Sequence, residues 1–194
     1  MDDKLSFYNH ISSIVHKAMI RSRLILKCFC SREPELLLKA YLTYVRPILE
    51  YCSAVWSPHL VYLIDKVEKV QRFFTKRIPG LWHLSYPDRL LSLGLRTLQD
   101  RRRVTDLAMC YRIVHGLLDT SLAFHFCGKA NLRTRGHDLR LTLLPFNKDI
   151  VKFSFVNRSI SAWNNLPSEL VHASSVSAFI RGVYNLPLST FYKL

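Results

Sequence analysis

Apolar residues recur at every third or fourth position over most of the chain, the period that gives a helix one face to bury. Across residues 10–29 the stripe is Ile11, Ile14, Val15, Ala18, Ile25 and Phe29, with Ser6 upstream as a cap and Lys17, Arg21 and Arg23 off the stripe. That pattern predicts an amphipathic helix with a basic flank. Ser31-Arg32-Glu33-Pro34 then resets the chain. Ser31 suits a cap, Pro34 a first turn with no use for its N–H, and Glu33 and Glu35 the positive end of a helix. A second helix is predicted from there past Tyr44. Pro47 must bend or end it, because proline removes an intrahelical hydrogen bond and collides with the preceding turn, while apolar character continues over residues 48–56. After Ser57-Pro58-His59 the spacing predicts a third helix over 60–78. It carries Leu60, Leu63, Ile64, Val67, Phe74 and Ile78 on one stripe and Lys66, Lys69, Arg72 and Lys76 on a second, with Arg77 next to the last.

Pro79-Gly80 breaks that pattern, Tyr86-Pro87-Asp88 opens a short helix to residue 93, and Gly94 suits a left-handed stop. Thr97 with Asp100 resembles a capping arrangement for a helix to about residue 118, burying Val104, Leu107, Ala108, Tyr111 and Val114. Arg101, Arg102 and Arg103 fall in its first turns, where cations meet a positive helix end, so the triplet reads either as a contact for an outside anion or as a solvated arginine face. Over 128–149 the character changes. Lys129, Arg133, Arg135, Arg140 and Lys148 alternate with short apolar runs, which reads as a basic loop and one hairpin, with Arg140, Thr142 and Leu144 on one side of a strand. Phe153, Val156, Ile160 and Trp163 return to helical spacing until Asn164-Asn165-Leu166-Pro167, and Ser174 or Ser175 caps a last helix through Tyr184. The expectation is a mainly α protein: a helical bundle over 1–127, then a small basic region with a loop or hairpin and C-terminal helices over 128–194.

Composition narrows the partner. Twenty-eight Lys and Arg against 14 Asp and Glu leave a formal charge of +14. A compact chain with that excess repels itself and calls for a polyanion. Lys66, Lys69, Arg72, Lys76, Arg77, Arg101, Arg102, Arg103, Lys129, Arg133, Arg135 and Arg140 are the candidate phosphate contacts, with Trp82 or Tyr86 available to stack on a base or sugar. Trp56, Phe74 and Trp163 sit on apolar stripes and read as core. No apolar run reaches the ~20 residues that cross a bilayer, so no membrane partner is expected. The polar opening Met1-Asp2-Asp3-Lys4 is no secretory signal, and the expected compartment is cytosol or nucleus. Five scattered cysteines, an odd count, frame neither disulfides nor a four-ligand zinc site, and no cofactor or metal is expected.

Catalytic signatures are absent from the sequence. A polymerase needs carboxylates that bring two metal ions together. The adjacent pair Asp2-Asp3 follows no strand, and Tyr62-Leu63-Ile64-Asp65-Lys66 lies inside the third predicted helix without a second aspartate. His59, His115 and His137 fall at helix ends or in loops, with no nucleophile elbow or phosphate-cradling glycine loop to frame them.

Several landmarks in fixed order carry a family resemblance. These are residues 5–18; Tyr44-Val45-Arg46-Pro47-Ile48-Leu49-Glu50-Tyr51-Cys52 with Ala54-Val55-Trp56-Ser57-Pro58; Ile64-Asp65-Lys66-Val67-Glu68; Tyr86-Pro87-Asp88-Arg89-Leu90; Tyr111-Arg112-Ile113-Val114-His115-Gly116; and Phe155-Val156-Asn157-Arg158 with Ala162-Trp163-Asn164-Asn165-Leu166-Pro167. They resemble the thumb and following region of reverse transcriptases, RNA-directed DNA polymerases, from LINE (non-LTR) retrotransposons of the jockey or chicken-repeat kind. The resemblance implies a thumb-like helical bundle that holds an RNA/DNA or DNA template-primer by its backbone, with a palm domain as protein partner. The endonuclease, fingers and palm with its aspartate pair are expected upstream of Met1, so the isolated chain is expected to be no enzyme. A helical protein-binding scaffold, or a transposon remnant without retained function, is the alternative.

Overall fold

A computed structural model describes residues 7–118, 137–143 and 145–186. It is mainly helical, as the spacing predicts, and no strand forms among the described residues. The helices are α1 (Tyr8–Cys28), α2 (Pro34–Tyr44), α3 (Arg46–Glu50), α4 (Ser53–Trp56), α5 (Val61–Thr75), α6 (Tyr86–Ser92), α7 (Leu98–Val114), α8 (Asp149–Lys152), α9 (Phe155–Asn164), α10 (Ser168–Val171) and α11 (Val176–Asn185). The chain forms two compact units, residues 1–102 and 103–194, so the division falls within α7 rather than near Gly128, a position outside the described residues.

In the first unit α1 packs against α2, α3 and α5. Ile11, Ile14, Ala18 and Ile25 of α1 meet Leu37 and Tyr41 of α2, Leu49 of α3 and Leu63, Val67, Val70 and Phe74 of α5 in one core. Pro47 does not kink a long helix: α2 stops at Tyr44, and the proline takes a first-turn place in α3, where its missing N–H costs nothing. Ser31 caps no helix either. Its hydroxyl accepts from Glu33 N–H at 3.3 Å, two residues too early, and Glu33 is the residue that precedes α2. The third predicted helix ends at Thr75, and Ile78 is buried from the turn beyond it. Ser85 accepts from Asp88 N–H at the start of α6, and Gly94 adopts φ +61° after its end. Asp100 N–H donates to Thr97 Oγ1 at 3.0 Å, the expected opening of α7.

The inner face of α5 also carries a buried polar network. Glu68 accepts from Leu98 N–H at 3.0 Å and from the Tyr86 hydroxyl. Gln71 accepts from the Tyr41 hydroxyl at 2.8 Å and donates to Tyr86 Oη at 2.9 Å and to the Arg96 carbonyl at 3.0 Å. The carboxylate of one helix thereby satisfies the first N–H of another, at the end where the helix dipole favours negative charge.

The second unit is organised by α9. Val156, Ile160 and Trp163 face a core with Leu107, Tyr111, Val171, Phe179 and Val183, in which the Tyr111 and Phe179 rings lie 4.7 Å apart. Phe153 instead lies in the turn after α8. Arg158 grips the buried Asp106 through two hydrogen bonds of 2.8 and 3.2 Å and donates to the Phe153 carbonyl. Part of the predicted loop and hairpin, residues 128–136 and Leu144, lies outside the described residues, and Arg140 and Thr142, which are described, form no strand. At Leu141 the side chain of Asn164 stands where a strand partner would, accepting from Leu141 N–H at 2.9 Å and donating to its carbonyl at 2.8 Å. Ser175, not Ser174, caps α11 by accepting from Ala178 N–H.

Candidate nucleic-acid interface

Locking the inner face of α5 against Tyr41, Tyr86 and Leu98 leaves its opposite face to solvent, and that face is the cationic stripe. Lys69, Arg72, Lys76 and Arg77 are exposed and Lys66 is half-buried. Lys66 Nζ donates to Ser12 Oγ at 2.7 Å and stands 4.5 Å from the centre of the Tyr8 ring, both on α1. Further along, Arg77 lies over the Phe73 ring at 3.6 Å and Arg23 of α1 approaches the same ring at 5.9 Å. The pairs Ser12–Lys66 and Arg23–Phe73 keep their order along both helices, so α1 and α5 run side by side in the same sense.

Between them lies a groove of about 370 Å³ whose apolar lining is Val15, Met19 and Ile20. Its polar lining is Ser12, His16 and Arg23 from α1 and Lys66 and Lys69 from α5, and among the described residues no carboxylate lines it. An anion entering here meets cations from both helices.

Not every predicted contact belongs to this face. Arg72 turns toward Asp65, 3.3 Å away, and toward the Tyr86 ring at 5.1 Å, so its charge is partly answered. Arg101 is half-buried and grips Glu50, with Nη2 to Oε2 at 3.0 Å. Arg102 is only 2 % exposed, its guanidinium 6.0 Å from the Trp56 ring. A phosphate contact needs a guanidinium that solvent can reach, so Arg101 and Arg102 leave the candidate set and serve the interior of the first unit. Arg103 and Arg140 are half-buried in the second unit, and Lys129, Arg133 and Arg135 lie outside the described residues.

Of the two stacking candidates, Tyr86 is committed to Glu68 and Gln71, whereas Trp82 is 70 % exposed. Trp56, Phe74 and Trp163 are core. Reading the sequence in one dimension missed Arg23 and His16. Both lie on the basic side of α1, but nothing in the spacing says that this side adjoins the cations of α5.

Groups with shifted acidity lie away from the groove. Burial pushes the Glu68 carboxyl up, against the hydrogen bonds from Tyr86 and Leu98 that favour its charged form. Burial lowers the His137 imidazole, whose Nε2 lies 3.1 Å from the Trp163 carbonyl oxygen. His115 Nε2 lies 2.9 Å from the Val171 carbonyl oxygen. Among the described residues no three His, Cys, Asp or Glu side chains converge to hold a metal ion, and no helix is long and apolar enough to cross a membrane. Asp2 and Asp3 lie outside the described residues.

By architecture the chain is thus a mainly helical protein with a cation-lined groove in its first unit. It is similar to an uncharacterized protein of Caenorhabditis elegans, 30% identical over 119 residues, a match covering 60% of each chain. The chain therefore spans about 60% of the length of that relative. No family model and no solved structure matches it.

Proposed function

We propose that this chain holds a nucleic-acid duplex by its sugar-phosphate backbone, as the thumb of a LINE-type reverse transcriptase holds an RNA/DNA template-primer. The observation that carries this reading is the set of exposed cations, Lys69, Lys76 and Arg77 with Arg23 and the tethered Lys66, on the outward side of α1 and α5. Phosphates are evenly spaced and carry no sequence information, so such a line grips any duplex without reading it. The resemblance of the chain to thumb sequences supports the same reading. It assigns the chain a grip, leaving polymerisation to a palm domain that it would accompany.

Filter binding of a labelled RNA/DNA hybrid at rising salt tests it. Four or five neutralised phosphates give a slope of about −4 in log affinity against log salt. Replacing Lys69, Lys76 and Arg77 together by alanine should flatten that slope by about 3, whereas a wild-type curve already flat between ~50 and ~200 mM salt refutes the reading.

A second reading, a helical surface that docks protein, has one observation in its favour: Tyr51, Val55, Val61 and Tyr62 are all exposed around α4. Self-association that rises with concentration and ignores nucleic acid would favour it.

A further inference from the structure

We propose that the groove between α1 and α5 takes one unpaired nucleotide of a bound strand, its base against Val15, Met19 and Ile20 and its phosphate among Arg23, Lys66 and Lys69. The proposal rests on the backbone-binding reading and asks more of the same face. A duplex shows a cationic helix only its backbone, because its bases are stacked inside. Apolar lining is idle against such a partner, yet Val15 and Met19 line the groove beside its cations and Ile20 is 51 % exposed. A base that has left its stack has an apolar face to bury and a phosphate attached to it, and the groove is lined by both kinds of surface.

Size fits as well. About 370 Å³ is at the lower end of small-ligand sites, room for one nucleotide rather than for a helix. An acidic amphipathic helix would also meet the charge rule. However, the cations run on past the groove to Lys76, about 15 Å from Lys66 at the helical rise, and to Arg77 in the turn that follows, and a strand follows that line where a short anchor does not. Lys66 is already held by Ser12 and Tyr8, and Arg23 by Phe73, so little side-chain freedom is lost when an anion arrives.

Fluorescence anisotropy on the full chain tests the proposal with two probes: a blunt RNA/DNA hybrid, and the same hybrid with a short single-stranded extension. At constant salt the extension should tighten binding about tenfold, and Ile20→Ser should bring the ratio of the two affinities close to one. Ile20 is half in solvent, and a circular-dichroism melt confirms that the variant is folded. A nucleoside monophosphate that removes the gain identifies free nucleotide as an accepted source of the same chemistry. One that leaves the gain intact identifies the strand as the source. The proposal is overturned if wild type binds both probes alike, if Ile20→Ser keeps the full gain, or if an acidic amphipathic peptide occupies the groove while the extension has no effect. Equal, salt-sensitive binding of both probes sinks the subsite alone. Absence of any salt-sensitive binding sinks the backbone reading with it.

Discussion

Glu68 shows how a single position can mislead a reader of the sequence. On α5 it sits among Lys66, Lys69 and Asp65 and reads as one more surface charge, yet it is buried and bonded to Leu98 N–H and the Tyr86 hydroxyl. Burial raises its pKa above the ordinary carboxyl value of 4.5. The folded state therefore holds that proton more tightly than the unfolded chain, and the corresponding stability is complete below pH 4.5 and is lost as pH rises through the raised value. Glu68→Gln keeps an acceptor for Leu98 N–H and removes the titration. Its melting temperature relative to wild type should climb between pH 4.5 and 7.5, while two parallel curves would show that burial of this carboxyl has no energetic weight. Arg102 misleads in the opposite direction. Three consecutive arginines suggest a phosphate clamp, but successive helical residues point about 100° apart, so one of the three must turn inward. Gly94 was legible, since only glycine takes φ +61° without strain at the end of a helix.

Among the elements, helices whose apolar stripe is regular were readable to within a few residues. α1, α5, α7 and α9 all lie where the spacing puts them, because each must bury that stripe somewhere. Ends and breaks were harder, since Ser31, Pro47 and Ser174 each had a second place consistent with its chemistry, and packing chose between them. The most informative element is α9. Asn157-Arg158 and Trp163-Asn164, which stand out in the family resemblance, turn out to hold the second unit together. Arg158 neutralises the buried Asp106, Trp163 Nε1 donates to the Leu139 carbonyl at 2.8 Å, and Asn164 fixes Leu141. Removing Arg158 takes two charge-assisted hydrogen bonds from the buried Asp106, which costs about 3 kcal/mol. Arg158→Lys should restore little of this, because an ammonium cannot make the two parallel hydrogen bonds of the guanidinium fork. Urea denaturation of wild type, Arg158→Ala and Arg158→Lys measures the three stabilities, and full recovery with lysine would mean that charge alone, rather than geometry, holds Asp106.

At the scale of the whole molecule the positive excess is shared. The first unit holds 17 of the 28 Lys and Arg and 9 of the 14 Asp and Glu, so net charge favours the proposed polyanion partner but does not single out a face for it. Location comes from the tertiary fold, which sets one flank of α1 beside one flank of α5, and no periodicity in the sequence encodes that meeting. The same distribution gives salt two opposing effects. Screening relieves the mutual repulsion of a +14 chain, so the free protein should melt at a higher temperature as salt rises. A hybrid bound as proposed should also raise the melting temperature, adding about 2.7 kcal/mol of stability at a hundredfold excess over its dissociation constant. Salt weakens that constant steeply, because each phosphate contact returns counterions to solution. The increment produced by a fixed concentration of hybrid should therefore shrink between ~50 and ~200 mM salt while the baseline climbs. Calorimetric melts with and without hybrid at the two salt concentrations separate the trends. An increment that stays constant as the baseline rises would mean that the hybrid is held by something other than the cations of α1 and α5.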